Sequence, residues 1–154
     1  MIVLKSILHN LGVVAVGFVV ALIGVALDRL FAIGAFRSIF ATVSGSLLIC
    51  IGFLIRLWAT YLFYENNMKV VVTAPQGTLL TSGPFRYSRN PLYLGGNVFI
   101  FFGTGLVLGS PAALVITALH LAFIDLFIRR EERQLEQTFG DEWVRYRQSV
   151  RRWI

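Results

Sequence analysis

An all-α integral membrane protein is the fold the sequence predicts: four transmembrane helices, a broken cytoplasmic loop and a C-terminal amphipathic helix at the interface. Three observations lead there. Apolar residues make up 56% of the 154 residues and charged residues only 14%, with a mean hydropathy of +0.73; a soluble domain carries about a quarter charged residues. The apolar residues gather into four runs close to the length a hydrocarbon core of about 30 Å requires. Lys and Arg are distributed lopsidedly around those runs, as they are around membrane spans.

The first run, 11–27, is 17 residues without a charge and extends back towards Ile7. A Lys precedes it, but no small-residue cleavage site follows before Asp28 and Arg29, so it reads as a retained span and not a signal peptide. The second run, 39–63, is 25 residues with one charge, Arg56. The third and fourth, 93–108 and 112–128, are 16 and 17 residues joined by Gly109-Ser110-Pro111, which predicts a tight helical hairpin. Glycines in the spans (Gly12, Gly17, Gly24, Gly96, Gly103, Gly105) read as close helix packing and are compatible with a homodimer. The lone Cys50 lies inside an apolar run and has neither a disulfide partner nor metal-ligand spacing around it.

With four spans, the N-terminus, the loop before the third span and the tail 129–154 share one side. That side holds eleven Lys and Arg against two, Arg29 and Arg37, on the other. The positive-inside rule then puts both termini in the cytoplasm, as in a multi-pass protein of a bacterial inner membrane. The same placement explains the net charge of +6 without nucleic acid, because the basic residues flank apolar runs and suit lipid headgroups.

After Ile128 the chain becomes amphipathic. Leu135, Phe139, Trp143, Tyr146, Val150 and Trp153 recur at helical spacing, with Gly140 a candidate break. In the loop 77–93, Gly83, Pro84 and Pro91 forbid one long helix. Pro91 suits the first turn of the third span, with Asn90 as its N-cap. Arg86 and Arg89 beside that helix start suggest an electropositive site for a carboxylate or phosphate. On the tail, Asp125 and Arg129 are spaced for an i,i+4 pair, and the carboxylates of Glu131 and Glu132 beside arginines suit a zwitterionic ligand. His120 and Arg56 are intramembrane ionisable residues, each a candidate for function or for internal pairing. No P-loop, GxGxxG, HExxH, CxxC or nucleophile elbow is present, and no metal site is expected.

The ordered pair of segments, Gly83-Pro84-Phe85-Arg86-Tyr87-Ser88-Arg89-Asn90-Pro91-Leu92-Tyr93-Leu94-Gly95 and then Glu131-Glu132-Arg133-Gln134-Leu135 with Phe139-Gly140-Asp141-Glu142-Trp143, resembles the isoprenylcysteine carboxyl methyltransferase and phospholipid methyltransferase family over about residues 70–150. The resemblance implies S-adenosyl-L-methionine as cofactor, held by Thr78, Leu79, Leu80, Phe85, Asn90, Pro91, Leu92, Tyr93 and Glu131. Asn90 and Arg129 are then the candidate catalytic residues. Many members carry His where this chain has Asn90, and the carboxyl methyltransferases carry Arg where it has Phe127. The implied substrate is a lipophilic molecule or lipid from the bilayer, with an isoprenylcysteine-like carboxylate foremost. A phospholipid amine or a small thiol would be the other acceptors, and a non-catalytic relative keeping the fold is the reading from a different class.

Overall fold

The computed structural model describes residues 1–70 and 75–154, and every regular element in them is helical. Four helices are long and apolar enough to cross a membrane: α1 (Ile2–Leu30), α2 (Ile39–Glu65), α3 (Pro91–Leu108) and α4 (Pro111–Phe139). A short α5 (Asp141–Ser149) follows. Large apolar side chains point outward on the spans, with Leu54 62% and Leu119 67% exposed. Such a surface is stable against lipid and not against water, so the chain is a multi-pass membrane protein.

Two helices outrun the expected spans. α1 begins at Ile2, well before residue 11, and ends at Leu30, so it contains both Lys5 and Asp28. α4 does not stop at residue 128 but continues through the charged segment to Phe139. Arg, Glu and Gln are good helix formers once outside the membrane, and at about 1.5 Å per residue the 29-residue helix is far longer than a bilayer core. The break comes instead at Gly140, whose φ of 51° and ψ of −125° suit glycine alone.

α3 is not a uniform helix. Pro91–Tyr93 is α-helical, Leu94–Ile100 is π-helical and Phe101–Leu108 returns to α. Here α3 packs on α2 through paired glycines: a Cβ on Gly52 would lie 2.4 Å from the Gly95 carbonyl oxygen, and one on Gly45 2.6 Å from that of Gly103. Gly17 and Gly24 serve similar approaches, the latter against Ala113. Gly12 does not, for a Cβ there would meet nothing within 4 Å.

At the far end of the bundle the expected hairpin is present. Gly109 takes φ +62°, its carbonyl accepts from the Phe36 N–H at 3.0 Å, and Pro111 opens α4. Asp28, 4% exposed, closes this end: its carboxylate accepts from the Ser110 hydroxyl and from the Ala112 N–H at 3.0 Å. Ser110 in turn caps the Ala113 N–H at 3.1 Å. Replacing Asp28 with alanine leaves buried donors unpaired, and is expected to lower stability by about 1–3 kcal/mol, read as a lower thermal midpoint in detergent. An unchanged midpoint would show that the cap is idle.

At the other end, Asn10 of α1 donates to Thr60 Oγ1 of α2 at 2.9 Å. The start of α1, the end of α2, the loop before α3 and the tail after α4 therefore meet on one side.

Candidate functional site

The loop 75–90 gains its shape from the tail. Within it only Gly83–Arg86 forms a 3-10 turn. Gln76 brackets the Lys69 backbone with two 2.7 Å hydrogen bonds, which ties the start of the loop to the end of α2. Beyond Gly140 the chain doubles back, so α5 lays Trp143 (2% exposed) and Tyr146 (7%) against Phe85 and Ala59. The apolar face anticipated for the tail is thus turned onto the protein's own loop.

Polar contacts lock the two strips together. The Tyr146 hydroxyl donates to the Phe85 carbonyl at 2.7 Å, and burial raises the Tyr146 pKa, which keeps that proton in place. Ser88 Oγ donates to the Arg152 carbonyl at 3.0 Å, and the Arg89 N–H to the Arg151 carbonyl at 3.0 Å. Glu132, 8% exposed, receives Arg89 Nη2 at 3.1 Å and Arg152 Nη2 at 2.6 Å. Burial lowers the Arg89 pKa while Glu132 opposes the shift; hydrogen bonding to Glu132 raises that of Arg152.

Beneath this cover lies a cavity of about 910 Å³, near the upper end of small-molecule sites. Thr78, Leu79, Leu80, Phe85, Asn90, Pro91, Leu92, Tyr93 and Glu131 all line it. Elements as far apart as the loop, α3 and α4 therefore bring the nine candidate cofactor-binding residues around one space. Asn90 does sit at the N-cap position of α3, but its side chain makes no capping bond; its amide Nδ2 donates to the Arg152 carbonyl at 3.4 Å. The Tyr93 phenol neighbours the Glu131 carboxyl inside the cavity.

Arg129 is not part of this space. Its Nε pairs with Asp125 Oδ2 at 2.6 Å on the outside of α4, with the arginine side chain 55% exposed. The i,i+4 pairing anticipated from spacing turns it away from the cavity that Glu131 faces. Arg86 is also exposed and outside the lining, and Arg89, which does line it, is neutralised by Glu132. Neither arginine expected beside Asn90 therefore offers the cavity an unpaired charge.

Part of the lining is apolar. α1 and α4 touch at Gly24 and Ala113, and nearer the loop Val13, Val16 and Val20 of α1 and Ile116 and Ile124 of α4 line the cavity. His120, between Ile116 and Ile124 on α4, lines it too, its ring 5.7 Å from that of Phe101. Arg56 and His9 lie on the wall as well. His9 was beyond reach of the sequence reading because it precedes the first apolar run. Trp143 was visible as part of a helical stripe, but nothing in that stripe marks it as cavity wall.

Two polar atoms in this wall are buried without a partner among the described residues: Arg89 Nε and Trp143 Nε1. Buried N–H groups are seldom left unpaired, and each orphan calls for an explanation.

Comparison with known proteins adds the following. A family model described as phospholipid methyltransferase matches residues 40–142. The chain is 33% identical over 114 residues to the protein-S-isoprenylcysteine O-methyltransferase of Saccharomyces cerevisiae, a match covering 71% of this chain and 46% of that one. It therefore spans about half the length of that relative. It is also 41% identical over 58 residues to an uncharacterised protein of Haemophilus influenzae, covering 37% of this chain and 92% of that one. No solved structure matches.

Proposed function

Since the chain belongs to the phospholipid methyltransferase family, we propose that it is a membrane methyltransferase that uses S-adenosylmethionine to methylate a lipophilic acceptor, foremost the carboxylate of an isoprenylcysteine-like molecule. In this reading both termini and the covered loop face the cytoplasm, where a water-soluble cofactor has access. The observation that carries it is that one cavity is lined both by the loop and Glu131 and by Val13, Val16, Val20, Ile116 and Ile124 of α1 and α4. The first group suits a polar cofactor and the second a hydrocarbon chain.

The residues fit such a cofactor. Glu131 supplies an acceptor for amino or hydroxyl groups. The unpaired Trp143 Nε1 and Arg89 Nε supply donors, and Leu79, Leu80 and Phe85 supply apolar surface for a purine. When bound, S-adenosylmethionine supplies a methyl group on a sulfonium, so that a carboxylate acceptor gains an O–CH₃ bond as the S–CH₃ bond breaks and sulfur keeps the electron pair. A carboxylate needs no base to attack, and Asn90 could serve as none near neutral pH. What the chain contributes is positioning and dryness: α5 and its Tyr146–Phe85 bond hold the loop over the cavity and exclude water. Asn90, tied to the Arg152 carbonyl, fixes the start of α3 and has no part in proton transfer. Arg129 has no role in this assignment.

Calorimetry on the folded full-length protein in detergent tests the donor half, and transfer of radiolabelled methyl to an S-prenylcysteine analogue tests the acceptor half. Saturable binding of S-adenosylmethionine is expected; none at millimolar ligand would overturn the proposal. Glu131→Ala removes a charge-assisted hydrogen bond worth about 1.5–3 kcal/mol, so binding should weaken by roughly one to two orders of magnitude with the thermal midpoint little changed. Equal affinity in wild type and variant would remove Glu131 from the site.

A further inference from the structure

Arg56 holds a positive charge where a membrane protein can least easily keep one. It lies on α2 about two and a half turns before the helix end and is 8% exposed. Its hydrogen-bonding partners carry no negative charge. Nε donates to Asn10 Oδ1 at 2.9 Å, Nη1 donates to the Leu92 carbonyl at 2.6 Å, and Nη2 lies 3.3 Å from His9 Nε2. None of the ion pairs among the described residues includes Arg56.

The surroundings are built to keep the guanidinium inward. Asn10 is itself anchored to Thr60 and to the Ser6 carbonyl. The π-helical segment of α3 presents two glycines to the side chain: a Cβ on Gly96 would come 2.8 Å from Nη1, and one on Gly95 2.8 Å from Cγ. An arginine free to reach headgroups would snorkel; this one is held across the bundle instead. A buried cation with only neutral partners is costly, and an apolar residue of similar volume would stabilise the fold as well or better. Intramembrane charges of this kind face cavities and mark ligand paths; Arg56 and His9 both line the cavity, and His9 lies one turn before Val13 on α1, which lines it as well.

We infer that Arg56, oriented by Asn10, the Leu92 carbonyl and the glycine cradle, is the anion subsite of the cavity and binds the carboxylate of the lipophilic acceptor. The acceptor's hydrocarbon chain lies along the apolar lining from α1 and α4, with its head on Arg56 and facing the space bounded by Tyr93 and Glu131. This inference rests on the proposed methyltransferase reading for the identity of the acceptor, but the carboxylate subsite stands on the geometry of Arg56. A carboxylate in this cavity has a second source, the amino-acid moiety of the methyl donor. The contact of Arg56 with His9, one turn from the apolar lining that begins at Val13, favours the acceptor.

The test uses full-length protein in nanodiscs, with an S-prenylcysteine carboxylate analogue, its uncharged carboxamide, and S-adenosylmethionine as separate probes. Wild type should bind the carboxylate at least tenfold more tightly than the carboxamide. Arg56→Gln should reduce that preference to within about threefold while affinity for S-adenosylmethionine changes little; retained donor binding also shows that the variant is folded. Arg56→Lys should keep part of the preference, since it keeps the charge but not the planar fork. Gly96→Ala, which crowds Nη1, should reduce the preference with the arginine still present. If Arg56→Gln does not fold, the other two variants decide: a full carboxylate preference in both would overturn the inference. Equal binding of carboxylate and carboxamide by wild type would overturn it outright. So would an Arg56→Gln protein that loses donor affinity and keeps its carboxylate preference, because the arginine would then serve the donor. If wild type shows the carboxylate preference but binds no S-adenosylmethionine, the methyltransferase reading fails and the anion subsite survives.

Discussion

Glu132→Ala is expected to destabilise the protein by about 3–5 kcal/mol, the usual cost of removing one partner from a buried ion pair, and to free the tail from the loop. Glu132 is the hub of the cover. Arg89 reaches it from the loop at 3.1 Å, and Arg152 reaches it from the tail through Nη2 at 2.6 Å and Nε at 3.1 Å. Without it Arg89 loses its counter-charge and Arg152 keeps only Asp125, 3.3 Å from its Nη1, while Arg89 Nε already lacks a partner among the described residues. Arg89 would keep its place over the Trp143 ring, 5.8 Å from the centroid, and the Arg147 and Arg151 carbonyls. Those neutral contacts do not offset a stranded charge. The expected results are a large fall in thermal midpoint, early proteolysis after Gly140, and loss of donor binding as the cavity opens. The exposed pair Arg147–Glu136, with both side chains 43% exposed, is the internal control: Glu136→Ala should cost at most about 1 kcal/mol. Equal shifts for the two variants would show that the Glu132 network holds nothing.

The contrast between Glu131 and Glu132 shows where sequence reading stops. Adjacent residues on a helix point about 100° apart, so one carboxylate enters the cavity and the other enters the ion network. Composition and spacing treat them alike, and only the family resemblance singled out Glu131. For Arg129 the i,i+4 partner is legible in the sequence, but the side of α4 on which the pair lies, away from the cavity, is not. The spans themselves were legible because lipid demands apolar length. Their ends were not, since a charge such as Asp28 reads as a boundary even when it is buried as a cap. The broken loop followed from Pro84 and Pro91, which forbid a continuous helix. The place of Arg56 inside a span allows for internal pairing, but its partners are not legible, because they come from α1 and from the start of α3, and the glycines that make room for it lie in a π-helical stretch that no periodicity announces.

Gly52→Ala should be the most damaging single methyl group in the membrane-embedded part of the chain. The α2–α3 contact rests on two glycine crossings, Gly45 with Gly103 and Gly52 with Gly95, where each Cβ would meet the opposing carbonyl oxygen at 2.4–2.6 Å. Small residues let helices approach this closely, and in lipid such packing replaces the hydrophobic drive that holds soluble helices together. Between the crossings α2 advances by seven residues and α3 by eight, from the positions of those glycines. All but the first residue of the π-helical segment Leu94–Ile100 falls in that interval, and the segment takes up the additional residue, as a π-bulge does. The backbone of α3 is therefore already adjusted to keep both crossings in register, and it has little freedom to retreat from a new methyl group. Overpacking typically costs about 1–3 kcal/mol when side chains can yield; here the obstacle at Gly52 is the backbone of Gly95, so the cost should reach or exceed the top of that range. The damage should also spread to the cavity, because Arg56 lies one turn beyond Gly52 and leans on Gly95 and Gly96. Gly34→Ala, with nothing within 4 Å of its Cβ, should leave the thermal midpoint unchanged. If Gly52→Ala proves as benign as Gly34→Ala, the two helices are not held by this contact, and the glycine cradle around Arg56 loses its structural basis.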